Sequence, residues 1–145
     1  MDKLAILLVD VEERYTNPDE ILYNIIDGDL DPYDVAEEIE QKFQKIADYI
    51  RCLNRGDVFI THKSEIHECF ENLGKDLPYW EVDYDSEQVN SEILDTLRDY
   101  DKVIVFGIYF ERCVKELTRR LKQCGINAIA NEDNSVSSRV IGEYL

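Results

Sequence analysis

Six consecutive apolar residues, Leu4-Ala5-Ile6-Leu7-Leu8-Val9, run straight into Asp10. A strand with one face in water alternates polar and apolar residues, and this one does not. An unbroken run of that length fits a strand covered on both faces, the condition of a parallel sheet flanked by helices. Two more runs share the character: Asp57-Val58-Phe59-Ile60-Thr61 and Val103-Ile104-Val105-Phe106-Gly107-Ile108. Ile126–Ala130 reads as a further short strand, and Trp80–Tyr84 as a candidate for another.

Helical spacing fills the gaps. Val35, Ile39, Phe43, Ile46, Ile50 and Leu53 recur at threes and fours, with Asp34 as the expected N-cap and Gly56 as the stop. Ile93, Leu94 and Leu97 mark a helix beginning near Ser86. Val114, Leu117, Leu121 and Cys124 mark another, which Gly125 ends. The alternation predicts one α/β domain over residues 1–145: a Rossmann-like three-layer α/β/α sandwich on a mainly parallel sheet of five or six strands. Tyr15–Tyr33 breaks the pattern, with Pro18, Gly28 and Pro32 among many acids. It reads as a long surface excursion with one helical turn around Ile21–Ile26.

Charge narrows the function classes. The chain carries 32 acidic against 16 basic side chains, a net charge of -16. Such a surface repels phosphate backbones and anionic lipid, so neither nucleic acid nor membrane is an expected partner. No apolar run has the length of a secretory core or of a membrane span, and a cytoplasmic location is expected. The four cysteines, Cys52, Cys69, Cys113 and Cys124, show no CxxC spacing. They are expected as free thiols, three of them packed as small hydrophobes.

In open α/β sheets the binding crevice lies at the carboxyl ends of the strands. Asp10 ends the first strand there, and Gly107 to Cys113 follow the fourth. With the strand order 3-2-1-4-5, assumed at this point, Asp10 and Cys113 face one crevice. Cys113 also falls at the first turn of a helix, where unpaired N–H groups and the helix dipole favour an anion and lower a thiol pKa. The bland alternatives stay open: Cys113 as a packing cysteine, Asp10 as a turn cap. His62 and His67, with Glu65 and Glu68 close by, match no strong metal signature, and no metal or cofactor is expected. Asp10 and Asp133, both at strand ends, leave room for a metal-dependent phosphodiesterase similar to PIN-like domains.

Taken together the motifs resemble the isochorismatase-like cysteine hydrolases. Leu7-Leu8-Val9-Asp10-Val11-Glu12-Glu13-Arg14-Tyr15 looks like that family's first motif, a buried strand ending in an aspartate with an aromatic residue five positions on. Val103-Ile104-Val105-Phe106-Gly107-Ile108, then Cys113-Val114, Gly125 and Glu132-Asp133, resemble its strand, glycine loop, Cys-Val pair, helix and closing acid. The resemblance implies a cysteine nucleophile at Cys113, an acid/base at Asp10, a small amide-type substrate and a homo-oligomer. Tyr109, Phe110 and Arg112 from the loop, with Tyr15 and Trp80, become the oxyanion and pocket residues. The family's lysine is expected near Trp80 to Asp83, yet no lysine stands between Lys75 and Lys102. Lys63, Lys75 or Arg14 would have to supply its charge. Tyr109-Phe110 is also bulky where the family keeps small residues. An inactive relative acting as a binding module is therefore the alternative to an active hydrolase.

Overall fold

The computed structural model describes residues 3–80 and 89–143. Five strands form one sheet: β1 (Leu4–Val9), β2 (Asp57–Thr61), β3 (Lys75–Leu77), β4 (Lys102–Gly107) and β5 (Ala128–Ala130). Their spatial order is β3-β2-β1-β4-β5, every pair parallel. Four α-helices accompany them: α1 (Pro18–Ile21), α2 (Pro32–Leu53), α3 (Ser91–Leu97) and α4 (Lys115–Gln123).

The unbroken apolar runs have the predicted cause. All six residues of β1 are buried. Ile6 and Leu8 pack with Ile39, Phe43 and Ile46 of α2 on one face of the sheet. Ala5, Leu7 and Val9 pack with Ile93 and Leu97 of α3 and Leu117 and Leu121 of α4 on the other. The result is the three-layer α/β/α sandwich, with five strands among the described residues. No helix among them is long and apolar enough to cross a membrane.

Several local expectations are corrected. The N-cap of α2 is Asp31, which accepts the Tyr33 N–H at 2.8 Å, with Pro32 at the first helical position. Asp34 lies in the first turn. Asn54, at φ 44, ends the helix two residues before Gly56. The third strand is Lys75–Leu77, at the sheet edge against Phe59–Thr61. Lys75 and Asp76 are polar and exposed, and half-buried Leu77 alone carries no apolar period. Trp80 lies outside any strand, and 81–84 lie outside the described residues, as does a helix start near Ser86. Asn90 caps the observed α3 by accepting the Glu92 N–H at 2.9 Å. The 15–33 segment is no loose decoration. Tyr15 and Ile21 are buried in the core, and the Ile26 N–H bonds to the Ile141 carbonyl at 2.7 Å. Its helical turn is Pro18–Ile21, set by Asn17 as cap and Pro18 behind it. Cys52 is exposed rather than packed.

Gly107 is required where β4 meets β1. A Cβ there would sit 2.2 Å from the Val9 carbonyl oxygen. That contact is rigid backbone, so the strands would have to part. Gly107→Ala is expected to cost at least about 2 kcal/mol. Gly28, with nothing within 4 Å of an added Cβ, should tolerate alanine to within about 0.5 kcal/mol. Urea unfolding of the two variants checks the contrast.

Candidate active site

The register of β1 and β4 builds the site. Val9 pairs with Gly107, so the chains leaving both strands emerge side by side. Asp10 leaves β1 in the left-handed region at φ 59, which aspartate tolerates better than most residues. Its N–H bonds to the Thr61 carbonyl at 3.0 Å, fixing it between β2 and β4. The chain beyond β4 winds into one π-helical turn, Phe110–Val114, which runs on into α4 and carries Cys113. π-turns inside helices are often associated with function. The Ile108–Tyr109 peptide is cis.

The C-terminal segment clamps this turn. Val136 N–H bonds to the Gly107 carbonyl and Phe110 N–H to the Val136 carbonyl, both at 2.8 Å. Glu111 accepts from Ser137 Oγ at 2.5 Å, Ser138 N–H at 2.7 Å and Ser138 Oγ at 2.9 Å. Arg112 is held outside by a bidentate pair with Glu143, at 2.8 and 2.7 Å.

Asp10 is the unusual group. It is 1% exposed, and its Oδ1 has no hydrogen-bond partner. Burial, and then repulsion from Glu12, push its pKa from 3.8 to about 6. The Cys113 thiol, Arg14 and the Trp80 indole act in the opposite sense. Trp80 Nε1–H favours the Asp10 charge without reaching the geometry of a hydrogen bond, and it too is unpartnered, as is the Tyr109 hydroxyl. Cys113 is half-buried. Burial, and then the adjacent Asp10, push its thiol up to about 12, against weaker help from the Tyr109 backbone and Arg112. The thiol pKa is raised, not lowered as expected at a helix start: desolvation and a neighbouring carboxylate outweigh the Tyr109 backbone and Arg112. Near neutral pH the charge rests on Asp10 and the proton on sulfur.

The other candidates divide. Tyr15 stacks edge-on against Tyr109, ring centroids 5.5 Å apart, and both are buried beside the Asp10–Cys113 pair. Trp80 joins them, together with Tyr79, whose hydroxyl pKa is raised by burial and by the Asp10 charge. Phe110 packs into the α4 side of the sheet under the Lys115 ammonium, 5.4 Å from its ring centre, rather than with Tyr15 and Tyr109. Arg112 is 54% exposed. Asp133 is exposed and is not among the main influences on Asp10. Glu81–Asp83 and Tyr84 lie outside the described residues.

The histidines serve elsewhere. His62 Nδ1–H donates to the Ser64 carbonyl at 2.7 Å. His67 is buried, its Nδ1 accepting the Cys69 N–H at 3.1 Å, which leaves Nε2–H for Glu40 at 2.5 Å. Among the described residues, no group of three or more His, Cys, Asp or Glu could hold a metal ion.

Glu12 is the residue that sequence reasoning passed over. It is fully buried, and accepts from Arg14 Nε and Ser64 Oγ at 2.6 Å each and from the Lys63 N–H at 2.7 Å. Burial opposes its charge, but these bonds win and lower its pKa. The lone signal was an acid two residues beyond a strand-end acid, which is common in a chain this acidic.

No protein-family model matches the sequence. No curated protein matches it either. Solved structures do match the fold. A MAR1 ribonuclease from Caenorhabditis elegans is 17% identical, with a TM-score of 0.60 over 94% of this chain and 66% of that one. The YcaC gene product of Escherichia coli, an octameric hydrolase of unknown specificity, is 16% identical, with a TM-score of 0.60 over 95% of this chain and 67% of that one. An isochorismatase-like hydrolase from Alkaliphilus metalliredigens is 14% identical, with a TM-score of 0.58 over 97% and 86%. The chain spans about two thirds of the first two structures. It has the fold of the isochorismatase-like hydrolases.

The buried carboxylate has a consequence for stability. The folded pKa of Asp10 exceeds its unfolded value, so the folded state binds the proton more tightly, and stability falls as pH rises from about 4 through about 6. Asp10→Asn should therefore be more stable than the wild type at pH 7.5, by up to about 3 kcal/mol for a shift of roughly two units. The difference should vanish below about pH 4. Urea titrations at the two pH values measure it.

Proposed function

We propose that the chain is a cysteine hydrolase of the isochorismatase-like superfamily, acting on a small amide-type substrate. The observation that carries this is a buried Asp10 carboxylate, its Oδ1 unpartnered, beside the Cys113 thiol at the carboxyl edge of a parallel sheet. An acid with a pKa near 6 is ionised at neutral pH and still basic enough to accept a thiol proton. Cys113 Sγ attacks the carbonyl carbon while its proton passes to Asp10. The oxygen gains the negative charge, held by the N–H groups of Tyr109 and Cys113. The N–H groups of Phe110, Arg112 and Val114 are already committed to the Val136 and Tyr109 carbonyls. Collapse breaks the C–N bond, and Asp10 returns the proton to the departing amine. Water, deprotonated by Asp10, then attacks the thioester, and the sulfur leaves and is reprotonated.

Unpaired Trp80 Nε1–H and Tyr109 OH are the pocket groups that would bind substrate polar atoms, with Tyr15 and Tyr79 as walls. A soluble, cytoplasmic homo-oligomer is part of this reading, and YcaC is described as octameric. The competing reading, an inactive binding module, draws on the raised thiol pKa and the absent lysine.

A panel of small primary amides separates the two. For an active enzyme, Cys113→Ala abolishes turnover with the fold intact. Asp10→Asn lowers kcat/KM by about 10²–10⁴. Wild-type kcat/KM rises with pH through about 6, as Asp10 must lose its proton to act as base. Turnover that survives Cys113→Ala sinks the nucleophile assignment. No turnover on any amide, with Cys113 inert to iodoacetamide between pH 6 and 9, favours the binding module.

A further inference from the structure

The site lacks the lysine that the resemblance assigns to it, and three cations were candidates to replace it. The structure separates them. Lys75 opens β3 opposite Phe59, at the end of that strand away from the Asp10 edge. Lys63 reaches the site through its backbone N–H, which is bound to Glu12. Arg14 is held at the site. Its Nε bonds to Glu12 at 2.6 Å, its Nη2 donates to the Tyr15 hydroxyl at 2.9 Å, and its guanidinium carbon lies 4.6 Å over the Tyr15 ring. Tyr15 in turn stacks on Tyr109, whose carbonyl accepts the Arg112 and Val114 N–H groups of the turn carrying Cys113.

We propose that Arg14 is the cation of this site, taking the lysine's part toward Asp10, and that Glu12 is the positioning residue that holds it there. This rests on the reading of Asp10 and Cys113 as base and nucleophile. Glu12 is suited to the task because it cannot turn away. Its carboxylate is buried and bonded to the β2 loop through Lys63 N–H and Ser64 Oγ, and its own N–H bonds to the Asp10 carbonyl at 2.7 Å. Its main chain bridges to Ile66. A guanidinium presents several donors in a fixed plane, so one face can stay on Glu12 while the charge acts on Asp10. Among the described residues, Asp10 is faced by Glu12 and Arg14 from its own loop, by Cys113 from the turn before α4, and by Trp80 from the segment after β3. Tyr15 and Tyr79 lie within the same field. Of these only Arg14 is a cation. Its charge favours ionised Asp10, while Glu12 alone would oppose it.

The test reads Asp10 directly, by carbon NMR titration of its carboxyl group in the full chain, assigned through Asp10→Asn. Arg14→Gln should raise the Asp10 midpoint by about one unit, and Arg14→Lys should restore most of it. Glu12→Gln should lower the midpoint in the Arg14→Gln background, where repulsion alone is lost. With Arg14 present it should not, because the unclamped guanidinium offsets the gain. An Asp10 midpoint unmoved by Arg14→Gln overturns the proposal for Arg14. An equal fall with Glu12→Gln in both backgrounds overturns the clamp. These failures differ from failure of the hydrolase reading. An Asp10 that titrates near 6 and responds to Arg14, with no Cys113-dependent turnover, would remove the enzyme and leave the Arg14–Asp10 coupling.

Discussion

The seam between β1 and β4 is the constraint on which the rest depends. Six consecutive residue pairs, Leu4↔Lys102 to Val9↔Gly107, fix the register. Side chains alternate along a strand, so a slip of one residue would turn every core residue of β1 to the other layer. It would also carry Asp10 out of line with the turn that holds Cys113. The seam ends in the close approach of Gly107 to the Val9 carbonyl, one residue before Asp10. The packing rule that makes the sheet is thus the positioning rule that makes the site.

Beyond the seam the charges compete, and magnitude decides each case. Glu12 and Asp10 are both buried acids in one loop, yet their pKa values move in opposite directions. Hydrogen bonds to a charged group contribute roughly 1.5–3 kcal/mol each. Glu12 has three such bonds, enough to outweigh desolvation. Asp10 has an oxygen with none, and desolvation wins. Cys113 beside it feels both burial and that carboxylate, while Arg112, whose charge acts against them, spends its guanidinium on Glu143. The proton is therefore where a general base could collect it, not already gone.

What the sequence made legible follows from which forces act locally. The apolar runs of β1, β2 and β4 are buried on both faces and announced themselves. Where polar residues end those runs placed Asp10 and Cys113 at strand ends, but their adjacency depends on the strand order, which the structure supplies. β3 was missed because an edge strand of Lys-Asp-Leu carries no hydrophobic period. Asp34 reads as the cap because periodicity begins at Val35, whereas capping depends on which carboxylate reaches a free N–H, and that is Asp31. The thiol pKa was misjudged for a related reason. A helix start is visible in sequence, but the burial and facing carboxylate that overrule it are tertiary. Glu12 was invisible because the partners that define it, Lys63 and Ser64, lie about fifty residues away along the chain.

A buried carboxylate without a full complement of hydrogen bonds stabilises nothing. In a site meant only to pack, asparagine or leucine in place of Asp10 would relieve desolvation and repulsion together. The same holds for an indole N–H and a phenol hydroxyl left unpartnered beside it. One such group is an ordinary imperfection, whereas three around a single thiol form a set of unmet bonds that a bound molecule could complete. The surrounding architecture spends its own good bonds on rigidity instead. Glu12 ties β1 to β2, and Glu111 ties the Cys113 turn to the C-terminal segment. Strong bonds at the periphery and unmet ones at the centre are the arrangement of a preorganised site, and a binding module would share it. The feature that leans toward chemistry is the thiol, because recognition alone needs no thiol beside a carboxylate with a pKa near 6.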